Sequence, residues 1–422
     1  MSVRTENRVK TIREYILSNY KGTFREPEER IKYPYIVPGS DAYSKTLWDW
    51  DSWLTNIALR QIVLSDDNPN AEDEIIPYER GCVLNFLSRC DGGWIPIFMT
   101  PDGQYEIPKP DDIFSENMHK PVLAQHVAFL VKCSGGDAEW IREKFGVLQA
   151  FVNVYRNHYK HSCGLYFWQT DFAIGVDNDP CTFYRPPKSS GSIFLNCLMY
   201  KEYQAMAYIC DCLNLNELST YYRKDADSVK NAILEHCWDE RDGFFYSVDL
   251  NLLPIDHTNW LHSGCPRDWD CLIQRIGVWS GFLALWAEIA TQEQAQRVVE
   301  ENYRNTKTFN APFGVRTLSK LEKMYNVRGS GNPSNWLGPI WGISNYLTFR
   351  GLVKYGFHDD AAELARKTIE LFGRDIERFG AMHEYYQPDN GEPVINRGFQ
   401  NWNLLVLNMI DWLDGKPVAA EF

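Results

Sequence analysis

The sequence predicts an all-α protein, an (α/α)6 barrel with long loops at one end. Helical periodicity of apolar residues recurs along all 422 residues, and no alternation of strands with helices indicates a parallel sheet. Some predicted helices are apolar nearly all round, whereas others have a single apolar face. Helices of these two kinds are typical of an inner ring that packs inside an outer ring.

Twelve helices are predicted from the periodicity and from start and stop signals. They cover about residues 6–19, 50–64, 76–90, 121–134, 138–158, 190–212, 215–236, 275–290, 293–304, 335–355, 359–374 and 398–414. The segments 191–209 and 335–352 are apolar nearly all round. The segment after the N-cap Asp359 is amphipathic. Its apolar face consists of Ala361, Leu364, Ala365, Ile369 and Phe372.

A single domain over residues 1–422 is expected, because no composition break or low-complexity tract indicates a linker. Hydrophobic residues make up 44% and aromatic residues 14%, which is enough for a large core and a ring-lined cleft. The long connections are rich in Gly, Pro, Asp and aromatic residues. The functional site is therefore predicted where these loops meet at one end of the barrel.

The formal net charge of −13 argues against nucleic acid and anionic membranes as partners, since both require basic patches. The sequence contains neither a run of about 18 apolar residues nor a secretory signal. Its 11 cysteines lack a CxxC pair, and its 9 histidines lack an HExxH motif. We therefore expect a cytoplasmic protein with reduced thiols, no cofactor and no transition metal, with a calcium site left open.

The loop 382–393 holds Glu384 among aromatic residues and then turns sharply at an Asn-Gly pair. Tyr385 and Tyr386 supply apolar walls and hydroxyl donors beside the carboxylate. Such a setting suits a base that holds a water molecule, although most acidic residues are solvated surface groups. The role of Glu384 therefore depends on finding its partner.

A second acidic stretch, residues 170–180, contains three aspartates around a turn. Gly175 allows a backbone or a ligand to approach closely, and Asp177 lies between it and the break at Asp179-Pro180. Aspartates beside Gly and Pro form turns far more often than they catalyse. On local evidence alone, a turn is the simpler interpretation of Asp177.

Two tryptophan-rich stretches can either pack beneath helices or bind a sugar. The first alternates tryptophan with aspartate at Trp48, Asp49, Trp50 and Asp51. These residues either cap the following helix or form a subsite in which a ring stacks on a pyranose and carboxylates accept hydroxyl protons. In the second stretch, Trp336 and Trp341 flank a Gly-Pro break, which suits a loop that lines a pocket.

Four motifs in this order resemble glycoside hydrolase family 63. They are Trp50-Asp51-Ser52; Gly175-Val176-Asp177-Asn178-Asp179-Pro180; Asn335-Trp336-Leu337-Gly338-Pro339-Ile340-Trp341, followed by Asn345-Tyr346-Leu347 and Gly351-Leu352-Val353-Lys354-Tyr355-Gly356; and His383-Glu384-Tyr385-Tyr386. The family contains processing α-glucosidases and mannosylglycerate and glucosylglycerate hydrolases, and it is related to trehalases. Order and rough spacing agree from about residue 43 to 412.

The resemblance implies an (α/α)6 barrel that hydrolyses an α-glycosidic bond with inversion. Asp177 matches the general acid of the family's G-x-D-N-x-P motif, and Glu384 matches the general base of its H-E-x-Y-x-P loop. An inverting pair needs a protonated carboxyl and an ionised carboxylate about 6.5–9.5 Å apart. We expect a water-poor aromatic pocket to keep Asp177 protonated, while Glu384 stays ionised at working pH.

The same match assigns the residues that bind the sugar. Trp50 and Asp51 match the pair that grips it in the buried subsite, and Gly175 matches the glycine two residues before the acid. Trp336 and Trp341 match the tryptophans that wall the subsite. Trp48 and Asp49 extend the gripping stretch.

Three further residues are expected to contact substrate. His119 is followed by Lys-Pro where relatives often have Gln-Pro-Pro, so it is expected to take over the sugar contact of that Gln. Tyr385 is expected to hydrogen-bond the base or its water. Gln400 falls near a position that relatives use for glycerate, but the glycerate-binding arginine has no clear equivalent near residues 210–214.

We therefore expect an exo-acting α-glucosidase-like enzyme that cleaves a small glucoside or a short oligosaccharide. A glucosylglycerate or mannosylglycerate hydrolase is the alternative within the family. From another class, a carbohydrate-binding or epimerase-like (α/α)6 barrel would lack hydrolysis, and an epimerase would use His383 as acid or base. The sugar, the linkage, the aglycone and the oligomeric state stay open.

Overall fold

The computed structural model describes residues 3–65, 70–103, 118–171, 174–183, 185–253, 258, 260, 269–328 and 333–422. These ranges are mostly helical. The α-helices are α1 (Val3–Asn19), α2 (Asp49–Leu64), α3 (Ala71–Ser88), α4 (Leu123–Cys133), α5 (Phe145–His158), α6 (Ile193–Cys212), α7 (Asn216–His236), α8 (Leu283–Trp286), α9 (Gln292–Arg297), α10 (Gly342–Lys354), α11 (His358–Phe379) and α12 (Val406–Leu413). Short 3-10 helices cover Tyr20–Thr23, Asp41–Tyr43, Glu139–Lys144, Trp279–Phe282 and Asn401–Leu405, and a π-helix covers Val298–Tyr303.

The strands in the described part of the chain are two residues long and pair antiparallel. They are β1 (Phe24–Arg25), β2 (Tyr35–Ile36), β3 (Leu47–Trp48), β4 (Phe98–Met99), β5 (Ser190–Gly191), β6 (Trp238–Asp239), β7 (Phe244–Phe245), β8 (Val248–Asp249), β9 (Leu272–Ile273), β10 (Asn310–Ala311), β11 (Gly314–Val315), β12 (Ile340–Trp341) and β13 (Tyr385–Tyr386). Strand β8 lies between β5 and β9, and the other strands form two-stranded ribbons.

The even-numbered helices contact one another in cyclic order. α2 contacts α4, α4 contacts α6, α6 contacts α8, α8 contacts α10, α10 contacts α12, and α12 returns to α2. These helices are buried along nearly their whole length. The odd-numbered α1, α3, α7 and α11 have exposed faces and pack on other helices. Helices of the two predicted kinds therefore occur, in two layers.

The amphipathic face predicted for α11 is confirmed, because Ala361, Leu364, Ala365, Ile369 and Phe372 are all buried. The predicted N-cap is wrong by two residues. The helix begins at His358, and Asp359 lies in its first turn. At the other end the helix stops at Phe379, and Gly380 follows it in a left-handed conformation with a φ of +68°.

Two other predicted helices are shorter than the apolar pattern indicated. The segment 275–290 contains only a 3-10 turn and the four-residue helix α8. The segment 335–355 becomes helical only at Gly342, because β12 pairs with β13 just before it and Gly338-Pro339 interrupts the pattern. Apolar residues alone do not distinguish a buried loop from a buried helix.

One continuous hydrophobic cluster runs through the described residues, with Trp53, Trp279, Trp286 and Trp341 among its largest fully buried side chains. Every described helix is too short or too polar to span a bilayer. The apolar residues are thus used for packing helix on helix and for walling the cavity described next.

Candidate active site

Segments that precede or begin four of the central helices line one cavity of about 430 Å³. Trp48 is the N-cap of α2 and Trp341 the N-cap of α10, while Lys120 precedes α4 and Trp402 precedes α12. The volume lies within the range of about 300–1,000 Å³ that is usual for small-molecule sites. The lining residues are Tyr43, Trp48, Trp50, Asp51, Ile97, Lys120, Asp171, Gly175, Asp177, Asn178, Phe183, Ser334, Trp336, Trp341, Glu384, Phe399 and Trp402.

Glu384 is held at the start of a hairpin. Its backbone N–H donates to the carbonyl of Ile395 at 3.1 Å, and the next residue begins β13, which pairs with β12. Its carboxylate accepts hydrogen bonds from the hydroxyl of Tyr43, at 3.2 and 3.3 Å, and from the side-chain amide of Asn396. Glu384 is only 4% exposed, so its carboxylate is fixed in a nearly dry setting.

Asp177 reaches the same cavity from a turn that begins with Gly175, whose φ is +68°. The next residue, Asn178, also has a positive φ, of 58°, so two left-handed residues flank the turn. The Asn178 side chain accepts a hydrogen bond from the backbone N–H of Trp336 at 2.9 Å and donates to Asn335 at 3.1 Å. The turn that carries Asp177 is thereby joined to the tryptophan segment.

Stacked aromatic rings form one wall of the cavity. Trp336 lies parallel to Trp341, with ring centroids 3.9 Å apart at 9°, and Tyr385 stacks behind Trp341 at 4.8 Å and 22°. The ring centroid of Trp50 lies 6.1 Å from that of Trp336, and Trp402 meets Trp50 edge-on with centroids 5.4 Å apart. Such ring faces suit the apolar face of a pyranose.

Two charged residues, Lys120 and Asp51, also line the cavity, and Asp49 binds the first of them. Asp49 accepts hydrogen bonds from the ammonium of Lys120 at 3.0 and 3.1 Å and from its backbone N–H at 2.9 Å. Asp51 lines the cavity and accepts a hydrogen bond from the side chain of Asn401. Burial raises the pKa of Asp51 well above its usual range, and the charge of Asp49 adds to the rise while Lys120 opposes it.

Burial raises the pKa of Glu384 to about 7. Hydrogen bonds from Asn396 and Tyr43 oppose the rise, and the negative charge of Asp177 adds to it. The two carboxylates are thus close enough to interact electrostatically. The ionised form of Glu384 prevails above about pH 7, so a base that is ionised at working pH, as expected from the sequence, requires neutral or alkaline solution.

The model of the family described as mannosylglycerate hydrolase MGH1-like glycoside hydrolase domain matches residues 44–402. The chain belongs to this family. As the sequence motifs predicted, it is a member of glycoside hydrolase family 63. The matched range contains both candidate catalytic residues and every tryptophan of the cavity.

Two curated relatives illustrate the range of the similarity. The mannosylglycerate hydrolase MGH1 of Selaginella moellendorffii is 23% identical over 407 residues, covering 85% of this chain and 78% of that protein. A probable trehalase of Eremothecium gossypii is 29% identical over 212 residues, covering 47% of this chain. The match spans only 26% of that trehalase.

Solved structures share the fold. The family 63 mannosylglycerate hydrolase of Thermus thermophilus, in complex with glucose, has a TM-score of 0.64 at 19% identity, covering 95% of this chain and 98% of that chain. The neutral trehalase Nth1 of Saccharomyces cerevisiae has a TM-score of 0.61 at 17% identity, covering 90% of this chain and 74% of that chain. At these identities the likeness concerns the fold alone.

Most of the predicted site residues of this family 63 protein come together at the cavity. The residues that line it are Trp48, Trp50, Asp51, Gly175, Asp177, Trp336, Trp341 and Glu384. Asp49 lies outside the described lining and forms an ion pair with Lys120. Tyr385 lies behind Trp341 and donates its hydroxyl proton to the carbonyl of Pro333 at 2.6 Å, so it supports the wall from outside.

Two predicted contacts lie away from the described lining. His119 is buried between Phe86 and Phe151, with ring centroids 4.6 and 5.5 Å from its own, and burial lowers its pKa to about 4. The side chain that reaches the cavity from this segment is the next one, Lys120. Gln400 binds the carbonyl of Asn19 at 3.3 Å and thereby ties the end of α1 to the body.

The sequence reasoning missed Tyr43, Lys120, Asn178 and Asn396. Asn178 lies inside the motif of the proposed acid, and Lys120 lies beside His119, so the sequence carries a local signal for both. Asn396 could be found by folding the 382–396 loop back on itself at its Asn-Gly turn. Tyr43 had no local signal, because it meets Glu384 only through the tertiary fold.

His383, the candidate acid or base of an epimerase, contacts Asp375 instead of the cavity. Its ring Nδ1 lies 2.9 and 3.0 Å from the carboxylate oxygens of Asp375, which also accepts a hydrogen bond from Tyr386. It is absent from the described lining of the cavity. Within the described residues, no group of three or more His, Cys, Asp or Glu side chains is arranged to hold a metal ion.

Proposed function

We propose that this chain is an inverting α-glycoside hydrolase in which Asp177 is the general acid and Glu384 the general base. The observation that carries the proposal is that these two residues, far apart in sequence, line one aromatic cavity and interact electrostatically. We further propose that residues 1–422 form a single (α/α)6 barrel domain. The cyclic contacts of the even-numbered helices support this architecture.

In this mechanism the glycosidic oxygen accepts the proton of Asp177 as its bond to the anomeric carbon breaks. Glu384 takes a proton from a water molecule whose oxygen attacks the opposite face of that carbon. One proton is thus given and one received, so the pair ends with reversed protonation states. Tyr43 and Asn396 orient the Glu384 carboxylate toward the water, which lowers the entropic barrier to attack.

The substrate that suits the cavity best is a neutral pyranoside that enters sugar first. Trp336 and Trp50 offer ring faces, and Asp51 and Lys120 offer an acceptor and a donor for sugar hydroxyls, so we propose an exo-acting enzyme that binds the terminal sugar here. A small glucoside or a short oligosaccharide is therefore the proposed substrate. Cytoplasmic location is proposed with it, since the described cysteines are free thiols, as in a reducing compartment.

A glucosylglycerate or mannosylglycerate hydrolase is the second candidate. It is favoured by the family model, which is described as mannosylglycerate hydrolase MGH1-like, and by the similarity to the Selaginella moellendorffii mannosylglycerate hydrolase over 85% of this chain. A glycerate carboxylate needs a cation, however. Lys120, the cation in the described lining, already pairs with Asp49. A neutral aglycone is therefore ranked first.

The testing experiment compares α-glucosides, kojibiose, nigerose, trehalose, glucosylglycerate and mannosylglycerate as substrates. Asp177→Asn and Glu384→Gln are each expected to lower turnover by about 100- to 10,000-fold with the fold intact. NMR of the first-formed sugar should show the β-anomer. Normal turnover in either variant, or an initial α-anomer, would refute the mechanism. A sugar that changes configuration without bond cleavage would identify an epimerase instead.

A further inference from the structure

Lys120 is a buried cation in the lining of the cavity. The residue has 0% exposure to solvent in the described structure, yet its side chain is part of the cavity lining. Lysines are almost never fully buried unless they are paired, because removing an ammonium from water is costly. The ion pair with Asp49 accounts for the burial of Lys120, and its position in the cavity lining places it where a ligand would bind.

Three neighbours fix the position of the ammonium. Asp49 binds it from below through both carboxylate oxygens, and the face of Trp50 lies 4.6 Å from it. Gly175 closes the third side: a Cβ added there would come within 2.7 Å of Nζ and 2.8 Å of Cε. The ammonium thus joins the three segments that carry the Trp-Asp motif, Lys120 itself and the proposed acid.

The ammonium has a donor left for a ligand. It has three N–H groups and no acceptor, and the Asp49 carboxylate engages at most two of them. The ring of Trp50 offers only its π face. The remaining N–H is left for a ligand in the cavity that Lys120 and Asp51 both line, and these two residues interact electrostatically.

We propose that Lys120 is a specificity-determining residue that donates a hydrogen bond to one hydroxyl oxygen of the sugar in the buried subsite. The same hydroxyl donates its proton to Asp51. This inference rests on the proposed function and names its substrate class as a neutral sugar. Asp49 already neutralises Lys120, and an anionic sugar would face the ionised carboxylate of Glu384 in the same cavity.

The test compares an aryl α-glucoside with its 3-, 4- and 6-deoxy analogues in the wild type and in Lys120→Met. The wild type is expected to prefer the parent sugar over one deoxy analogue by about 10- to 100-fold in kcat/KM, as for hydrogen bonds to charged groups. Lys120→Met should lose that preference and keep its preferences over the other two analogues. Equal preferences in the two proteins, or a wild type indifferent to all three deoxy positions, would overturn the proposal.

Lys120→Gln guards against a variant that fails to fold, because glutamine keeps an N–H donor without the charge. Its preference is expected to fall between those of the wild type and Lys120→Met, and a preference equal to the wild-type value would contradict a charged donor. Lys201→Met is the matched control. Lys201 is a buried lysine that lies over the ring of Phe422 and outside the cavity, so its loss should leave every preference unchanged.

Failure of the proposed function would be recognised separately, as a wild type that cleaves none of the glycosides. In that case calorimetry with glucose and the three deoxyglucoses still tests Lys120. Tighter binding of glucose than of one deoxyglucose, abolished in Lys120→Met, supports the contact without any turnover. Identical binding profiles in the two proteins would overturn it.

Discussion

The side-chain amide of Asn396 donates a hydrogen bond to Oε2 of Glu384 across the hairpin that carries them both. Asn396 adopts a left-handed backbone conformation, with φ of 52°, which asparagine tolerates better than most residues. Its neighbour Ile395 accepts the backbone N–H of Glu384 at 3.1 Å. The backbone of Ile395 and the side chain of Asn396, in the segment that returns after the turn, therefore hold the proposed base in place.

Asn396→Ala is expected to raise the pKa of Glu384 above its value of about 7, since the hydrogen bond from Asn396 stabilises the ionised carboxylate. A general base works only when ionised, so activity rises as pH increases through this pKa. The acidic limb of a plot of kcat/KM against pH should lie near pH 7 in the wild type. It should move upward by about one pH unit in the variant.

The measurement is a pH profile of kcat/KM from pH 5 to 9, so that the plateau is reached in both proteins. Asn396→Asp should move the limb further than Asn396→Ala, because a second carboxylate would then stand beside Glu384. Limbs at the same pH in all three proteins would contradict this role of Asn396.

Tyr43→Phe removes one hydroxyl donor from Glu384 and leaves the ring. The ring is held edge-on by Trp48 and Phe399, with centroids 6.2 and 5.9 Å away, so phenylalanine should occupy the same place. We expect kcat/KM to fall by about 3- to 10-fold on the alkaline plateau, consistent with a single hydrogen bond. Unchanged activity together with an unchanged pH limb would show that the hydroxyl has no part in holding the base.

The sequence predicted those parts of the site whose signal is local. The aromatic and acidic residues around Trp50, Asp177, Trp336 and Glu384 stood out by composition, by turn residues and by their order along the chain. Their common cavity followed from the expectation that long loops meet at one end of the helices. The family resemblance then supplied roles that composition alone leaves open.

The residues that hold these groups in place depend on tertiary contacts. Tyr43 lies 341 positions from Glu384, and nothing around it in sequence indicates that contact. His119 and Lys120 are adjacent, and the predicted contact was wrong by one position: Lys120, not His119, lines the cavity. The prediction of a helix over residues 275–290 failed because apolar content predicts burial more reliably than it predicts a helix. The α-helix in that segment, α8, has only four residues.

Gly175→Ala tests the close approach of Lys120 to the turn of the proposed acid. The new Cβ would lie 2.7 Å from Nζ, so the ammonium or the turn must move. Gly135→Ala is the matched control, because its φ of +69° equals that of Gly175 within a degree and its Cβ would meet nothing within 4 Å. Left-handed strain alone should cost Gly135→Ala about 1–2 kcal/mol of unfolding free energy.

Gly175→Ala should lose a further 1–3 kcal/mol or so through overpacking, and kcat/KM should fall by at least about tenfold. Urea unfolding and steady-state kinetics measure the two effects. If both alanine variants lose the same stability, and Gly175→Ala keeps its activity, the contact with Lys120 carries no constraint.

Asp49→Asn and Asp51→Asn are expected to differ sharply in stability, although the two aspartates are two positions apart. Asparagine at 49 leaves the buried charge of Lys120 uncompensated, which should cost about 3–5 kcal/mol. Asp51 accepts a hydrogen bond from the side chain of Asn401, and the amide oxygen of asparagine can accept the same bond, so this change should cost about 1 kcal/mol or less. Urea unfolding at pH 7 compares them, and equal losses would contradict the assignment of the buried ion pair.

Asn178 connects the proposed acid to the tryptophan wall. Two substitutions of this residue separate the loss of its hydrogen bonds from the strain of its left-handed backbone. Asn178→Gly keeps the freedom for a φ of 58° but loses the hydrogen bonds to Trp336 and Asn335. We expect the glycine variant to lose about 2 kcal/mol of unfolding free energy, at roughly 1 kcal/mol per hydrogen bond. Its kcat should fall more than its KM rises, because the acid is no longer fixed against the bound sugar ring. Asn178→Ala should lose about 1 kcal/mol more through left-handed strain. A glycine variant with wild-type kcat would show that Asp177 keeps its position without this connection.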